Sequence, residues 1–303
     1  MLVSFKSILK QIKDYRAGKI KSGISLGIEE IDVRIRFKRQ FNVILGHANA
    51  GKTTLVLYLM LLYSVKKNLK FLIYSSENDL YDLAMRLIEF KEVKPINKIP
   101  DSDLKEAAEF IDQHFKFVDN SKLYDYQVLL SIAEKIKKTF SYDGFLIDPY
   151  NSLIRNKQLM ANLNAHEYDY EVTSKFRLFC QDNDVALWLC THANTEAARK
   201  RHPLGHDYSG LPIPPMAADC EGGTKFISRC SDFWVVHRYI AHATDWIYTQ
   251  LHVKKVKTTQ TGGSCTPLIE PILFESVKNK CGFRINEKNL LTSRENKQKD
   301  LPF

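Results

Sequence analysis

Gly46-His-Ala-Asn-Ala-Gly51-Lys52-Thr53 fits the phosphate-binding pattern GxxxxGK[ST] without a mismatch. It follows an apolar, strand-like stretch, Asn42 to Leu45, and opens an apolar helical one. Glycines at both ends let backbone N–H groups curl around phosphate oxygens, and the N-terminus of the following helix adds its dipole. Gly46, His47, Ala48, Asn49, Ala50, Gly51, Lys52, Thr53 and Thr54 are therefore the expected nucleotide cradle. In such a cradle Lys52 reaches the β- and γ-phosphates and the Thr53 hydroxyl ligates Mg²⁺, so ATP and Mg²⁺ are the expected cofactors. An ordinary glycine turn would need strand, loop and helix all to coincide by chance.

Outward from this loop, short apolar runs alternate with amphipathic helices. Phe41 to Leu45, Phe71 to Ser75, Phe115 to Val118, Phe145 to Ile147 and Ala186 to Cys190 read as strands. Lys52 to Lys66, Leu80 to Lys91, Asp103 to His114, Tyr126 to Phe140 and Tyr168 to Asn183 read as helices. The alternation predicts an α/β fold, a mainly parallel sheet with helices on both faces. Asp232 to Tyr239, Trp246 to Val256 and Ile269 to Ser276 read as consecutive strands, an antiparallel C-terminal extension. Between the two parts, Thr191 to Gly223 holds four of the ten prolines and no clear period, as a functional or disordered loop would.

At the N-terminus, Phe5, Ile8, Leu9, Ile12 and Tyr15 recur at helical spacing among lysines, an amphipathic helix over 1–16 with a linker to 22. The catalytic domain is expected over 23–290 and a polar tail over 291–303. The chain has 303 residues, 44 of them Lys or Arg and 35 Asp or Glu; the surplus of nine positive charges points to a polyanionic partner. The longest unbroken apolar stretch, Leu55 to Tyr63, is too short for a bilayer, and the lysines among the first residues do not suit a signal peptide. The six cysteines form no CxxC pair and no zinc spacing, so they read as reduced thiols in a cytoplasmic protein.

Three further strand ends carry polar groups. Phe145-Leu-Ile-Asp148 ends in an acid that could hold Mg²⁺ through water. Glu77 ends Phe71-Leu-Ile-Tyr-Ser-Ser-Glu77; in an open α/β sheet it could activate the water attacking the γ-phosphate, or be a helix N-cap or surface acid. His192 follows Ala186-Leu-Trp-Leu-Cys190-Thr191 and could sense the γ-phosphate, or be structural.

In this order the residues resemble the ATPase domain of DnaB/twinkle-class hexameric replicative helicases, a branch of RecA-like P-loop ATPases. Lys21-Ser-Gly-Ile-Ser-Leu-Gly-Ile-Glu-Glu-Ile-Asp32 is similar to that family's lead-in, and Phe117-Val-Asp119 followed by Leu146-Ile-Asp148-Pro-Tyr-Asn-Ser-Leu153 to its run into the Walker B motif. Phe226-Ile-Ser-Arg-Cys-Ser-Asp232-Phe-Trp-Val-Val236 is similar to its helix and "AD" strand. The resemblance covers about Lys21 to Gly263 and implies a RecA-like fold, with Glu77 as catalytic carboxylate and His192 as γ-phosphate sensor. It also implies a Lys-x-Arg pair reaching the neighbouring subunit's ATP; here Leu251-His-Val-Lys-Lys255-Val-Lys257 stands in that place, with Lys257 where the arginine belongs and Lys255 as the other cation. Lysine lacks the planar fork of arginine. No primase or collar domain is expected ahead of the helix over 1–16, which by resemblance docks on an adjacent subunit and otherwise would cover the chain's own core. A stand-alone ATPase of this phage-like type would act in the host cytoplasm if viral.

Basic residues complete the reading. Arg199-Lys-Arg-His202, with Lys225 nearby, lies in the loop that faces the central channel of RecA-like rings, and Arg155 and Lys157 lie in a second loop, Asn151 to His166. Arg155, Lys157, Arg199, Lys200, Arg201 and Lys225 are thus candidates for single-stranded DNA, against the alternative of solvated loops. Two functions fit. One is an ATP-dependent DNA helicase or translocase, a homo-hexameric ring acting on single-stranded DNA in replication with a primase or helicase loader as further partner. The other is a RecA-like recombinase, recombination mediator or helicase-loader ATPase that binds DNA without unwinding it.

Overall fold

The computed structural model describes residues 4–17, 23–258, 262–267 and 269–292. Among the described residues ten strands form one sheet. Six are parallel: β1 (Phe41–Gly46), β2 (Phe71–Ser75), β3 (Phe115–Phe117), β4 (Gly144–Asp148), β5 (Ala186–His192) and β6 (Asp232–His237). Four more, β7 (Tyr248–Val256), β8 (Ile272–Ser276), β9 (Phe283–Ile285) and β10 (Lys288–Asn289), continue antiparallel from β6. The order is β3-β2-β4-β5-β1-β6-β7-β8-β9-β10.

The strand side chains divide by alternation, as a sheet covered on both faces requires. Ile44, Ile73, Leu146, Trp188 and Trp234 face α3 (Lys52–Lys67), α4 (Leu80–Glu92) and α5 (Asp101–His114). Their neighbours Val43, Leu45, Leu72, Phe145, Leu187 and Val235 face α6 (Tyr126–Lys137) and α8 (Ala165–Asn183). Asp232, which opens β6, is buried with its carboxylate 3.2 Å from Lys38 Nζ, so the one acid inside that strand's start carries its own cation.

Several ends fall elsewhere than the periodicity places them. Asn164 and Glu167 build a capping box that starts α8 at Ala165, ahead of Tyr168. The helix read to Phe140 stops at Lys137, and the strands read from Trp246 and Ile269 begin at Tyr248 and Ile272. Leu290 and Leu291 pack into the larger core, so the polar tail starts after 291 rather than at it; its remainder from 293 lies outside the described residues, as does the linker over 18–22. α1 (Phe5–Arg16) is present, capped by Ser4, and its apolar side chains Phe5, Ile8, Leu9, Ile12 and Tyr15 are all exposed; they do not cover the chain's own core.

The stretch 191–223 is folded, contrary to its patternless sequence. It contains α9 (Thr195–Arg199), capped by Asn194, and a return of chain that pairs Arg201 with Pro212 and His202 with Ser209. Tyr208 stacks on Tyr239 with ring centroids 3.8 Å apart and donates its hydroxyl to Asp245 at 2.6 Å. Stacking and a charged acceptor thus fix what hydrophobic period does not.

Candidate nucleotide site and the loops beside it

The carboxyl ends of β1, β2, β4 and β5 converge on a cleft of about 580 Å³ lined by Ala48 to Thr54, Glu77, Asn78, Asp148, His192 and Arg238. β1 hands the chain to α3 through a turn that only glycine can make at two points. A Cβ on Gly46 would stand 2.6 Å from the Val236 carbonyl oxygen, and Gly51 sits at φ +83°.

Lys52, in the first turn of α3, is 6 % exposed and bonds through Nζ to the carbonyls of Gly46 (3.2 Å) and His47 (3.0 Å). Burial lowers its pKa, opposed by Cys190, Asp148 and Glu77. Thr53 donates its hydroxyl to Asp148 Oδ2 at 2.6 Å. Asp148 is itself buried, and loss of water raises its pKa against the pull of the Thr53 hydrogen bond and of Lys52. A hydroxyl and a desolvated carboxylate in contact form an all-oxygen pair that fits Mg²⁺, and the ammonium and glycine turn beside them fit polyphosphate.

Glu77 is not a helix cap: Asp79 occupies that position at the start of α4. The Glu77 carboxylate instead meets His192, whose Nε2 is 3.3 Å from Oε1 while Nδ1 is 3.3 Å from Lys52 Nζ. The three polar residues read from strand ends, Glu77, Asp148 and His192, are thereby brought into one constellation with Lys52 and Thr53. Arg238 went unread. It stands just beyond β6, donates to the Trp246 carbonyl at 2.8 Å and lines the cleft, its pKa lowered by burial. Only the pairing of β6 with β1 puts it there, and no local motif announces that pairing.

The basic residues are treated unequally. Arg155 and Lys157 are exposed, Arg199 pairs with Glu196 at 2.7 Å, and Arg201 donates to the Gly210 carbonyl at 3.3 Å. Lys200 reaches Asp219 at 2.5 Å while keeping much of its side chain in solvent. Lys225, which opens α10 (Lys225–Arg229), is turned inward, 3.5 Å from the buried Asp169 carboxylate and with a side chain only 10 % exposed, a correction to its place among the loop cations. Lys255 caps the end of α10, donating to the carbonyls of Ile227 and Cys230, whereas Lys257 stands exposed beyond the end of β7.

No model of a known protein family matches the chain. It is 24 % identical over 276 residues to the chloroplastic and mitochondrial Twinkle homologue of Arabidopsis thaliana, 86 % of this chain but 37 % of that protein. Among solved structures, one described as an ATPase domain superposes with a TM-score of 0.74 at 15 % identity, covering 95 % of this chain and all of that one. A DnaB-like replicative helicase, whose structure was described with its interactions with primase, gives 0.69 at 14 % identity, covering 93 % of this chain and 67 % of that one. The chain has the RecA-like fold found in the ATPase domains of DnaB-like helicases.

Proposed function

We propose that the chain is the ATP-hydrolysing motor of a DnaB-like helicase, a homo-oligomeric ring that moves along single-stranded DNA. The observation that carries this reading is the convergence of Lys52, Thr53, Asp148, Glu77 and His192 at the carboxyl ends of adjacent parallel strands. Thr53 and Asp148 would hold Mg²⁺, which when bound neutralises phosphate charge. Lys52 exchanges its two carbonyl partners for β/γ-phosphate oxygens. Glu77 accepts the proton of the attacking water, a role worth about 10²- to 10⁴-fold in rate. His192, in contact with both Lys52 and Glu77, would read whether a γ-phosphate is present; those two contacts support the reading.

Two features of the surface favour a ring over a solitary enzyme. The exposed apolar side of α1 suits a second copy of the chain, and Lys257 is free of the helix-capping duty that occupies Lys255. A cation contributed by a neighbour to the transferring phosphoryl group can be worth about 10³- to 10⁵-fold. The exposed Arg155, Lys157, Arg199 and Arg201 supply cations for the phosphates of the strand. A strand-displacement assay on a forked duplex with ATP and Mg²⁺ tests the reading: unwinding by the parent chain supports it. DNA-stimulated hydrolysis without unwinding transfers the chain to the recombinase, mediator or loader class. Among the described residues no helix is long and apolar enough to cross a membrane.

A further inference from the structure

β5 runs past its neighbour. Its pairing with β4 ends at Ile147 opposite Leu189, while its pairing with β1 continues to Gly46 opposite His192. The last residues of β5, which carry the sensor histidine, therefore have no strand on the β4 side. A side chain takes the place of that strand. Asn151 Oδ1 accepts the backbone N–H of His192 at 3.0 Å and the Thr191 hydroxyl at 3.2 Å. Its Nδ2 donates to Glu221 Oε2 at 2.5 Å, and the backbone N–H of Glu221 donates to the His192 carbonyl at 3.0 Å. Both backbone polar groups of His192 are thus held by the Asn151–Glu221 pair.

Asn151 begins the loop 151–166 and Glu221 closes the loop 191–223, the two stretches that carry the exposed cations. The residue after Asn151 is tied in as well: the Ser152 hydroxyl meets that of Ser76, next to Glu77. One amide therefore fastens the roots of both loops to the residue that faces Lys52 and Glu77. Three of its four hydrogen-bonding positions are used, the carboxamide offering an acceptor on one side and a donor on the other.

We propose that Asn151, paired with Glu221, is a positioning residue that transmits movement of His192 to both basic loops. This rests on the motor reading, in which His192 responds to the γ-phosphate. The Asn151→Asp substitution keeps the acceptor toward His192 but sets a second carboxylate against Glu221. Adding Glu221→Gln restores a donor between the two side chains, so the double variant rebuilds the link with its polarity reversed.

The test uses the full chain with Mg²⁺ and a non-hydrolysable ATP analogue. Tryptic cleavage after Arg199, Lys200 and Arg201 is followed by mass spectrometry, alongside ATP turnover with and without single-stranded DNA. The parent should change its cleavage rate at this run when the analogue binds. N151D should lose that change and about tenfold of its DNA-stimulated turnover while retaining affinity for a fluorescent ATP analogue, and N151D/E221Q should recover both to within about threefold, as coupled neighbours do. Two results overturn the assignment: N151D responding like the parent, or the double variant failing to respond. A parent that hydrolyses no ATP overturns the motor reading itself and the coupling with it.

Discussion

His192 Nε2 lies 3.3 Å from Glu77 Oε1, so the candidate sensor and the candidate base meet directly across the cleft. This pairing engages one carboxylate oxygen of Glu77 and leaves the other open to water. Glu77→Gln keeps an oxygen for His192 but has no basic site for a water proton. Its hydrolysis rate should fall about 10²- to 10⁴-fold with nucleotide affinity retained, measured as steady-state turnover beside equilibrium binding. Turnover at the parental rate with DNA present would remove Glu77 from the chemistry.

Asp148 sets function against stability. Its pKa is raised because burial disfavours the carboxylate. A raised acid costs stability in full above its folded-state pKa, and that cost declines as pH falls below this value and vanishes near the unfolded-state pKa. Asp148→Asn keeps an acceptor for the Thr53 hydroxyl without the charge. In Mg²⁺-free buffer at neutral pH its Tm should exceed the parent's, with the gap narrowing toward acid pH, while Mg²⁺-dependent hydrolysis is lost. A lower Tm at every pH would mean that Lys52 needs the negative charge more than the fold gains from its removal.

The sequence disclosed those parts of the site whose chemistry sits at strand ends. An apolar run closing on Glu77, Asp148 or His192 points to a ligand site in a parallel sheet, because ligands gather at carboxyl ends. Arg238 and Asn151 were not legible, since each acts through a strand that neighbours its own only in space. The short strands β9 and β10 at one end of the sheet lacked enough residues to show alternation. The aromatic fastening of 191–223 was hidden for a related reason: Tyr208 meets Tyr239, 31 positions on, with no periodic pattern between them. Lys225 misled because a lysine beside a loop reads as solvated until its buried carboxylate partner is known.

That inward turn divides the basic residues into two experimental classes. Replacing Arg199 and Arg201 with alanine should weaken single-stranded DNA binding and reduce the slope of log affinity against log salt by roughly 0.7 for each phosphate no longer neutralised. Lys225→Ala should leave the slope intact and lower Tm instead, because Asp169 stays buried without its cation. Fluorescence anisotropy over a salt series, with a melting curve for each variant, separates the two. An unchanged slope in the double variant returns Arg199 and Arg201 to the status of solvated loop residues.

The exposed apolar side of α1 makes a claim about assembly. Removing residues 1–16 should reduce the oligomer mass seen by light scattering while leaving the melting temperature of the remaining domain near the parent's, since these side chains are outside both core clusters. An unchanged mass would assign the apolar side to a different partner.

Lys255 and Lys257 are two positions apart on or beyond the same strand yet meet different surroundings. Lys255 is spent on the carbonyls that end α10, which suits a cation at a helix C-terminus. Lys257 has its side chain in solvent. Lys255→Ala should therefore act on folding, with a stability loss in the range of a cation removed from a helix C-terminus, about 0.3–2 kcal/mol, seen as a lower Tm. Lys257→Ala should leave Tm and nucleotide affinity alone and remove the rise of specific ATPase activity with protein concentration that a ring entails. Lys257→Arg should keep or increase that rise, because the planar guanidinium adds a second hydrogen bond to phosphoryl oxygens. Mixing settles whether the cation acts across an interface: Lys257→Ala subunits keep their phosphate loop, and Lys52→Ala subunits keep their Lys257. If the cation is supplied in trans, the mixture recovers activity that neither variant has alone. If Lys257→Ala matches the parent at every concentration, no neighbour uses this residue, and Arg238, already inside the cleft, becomes the cation that serves the phosphoryl group from its own chain.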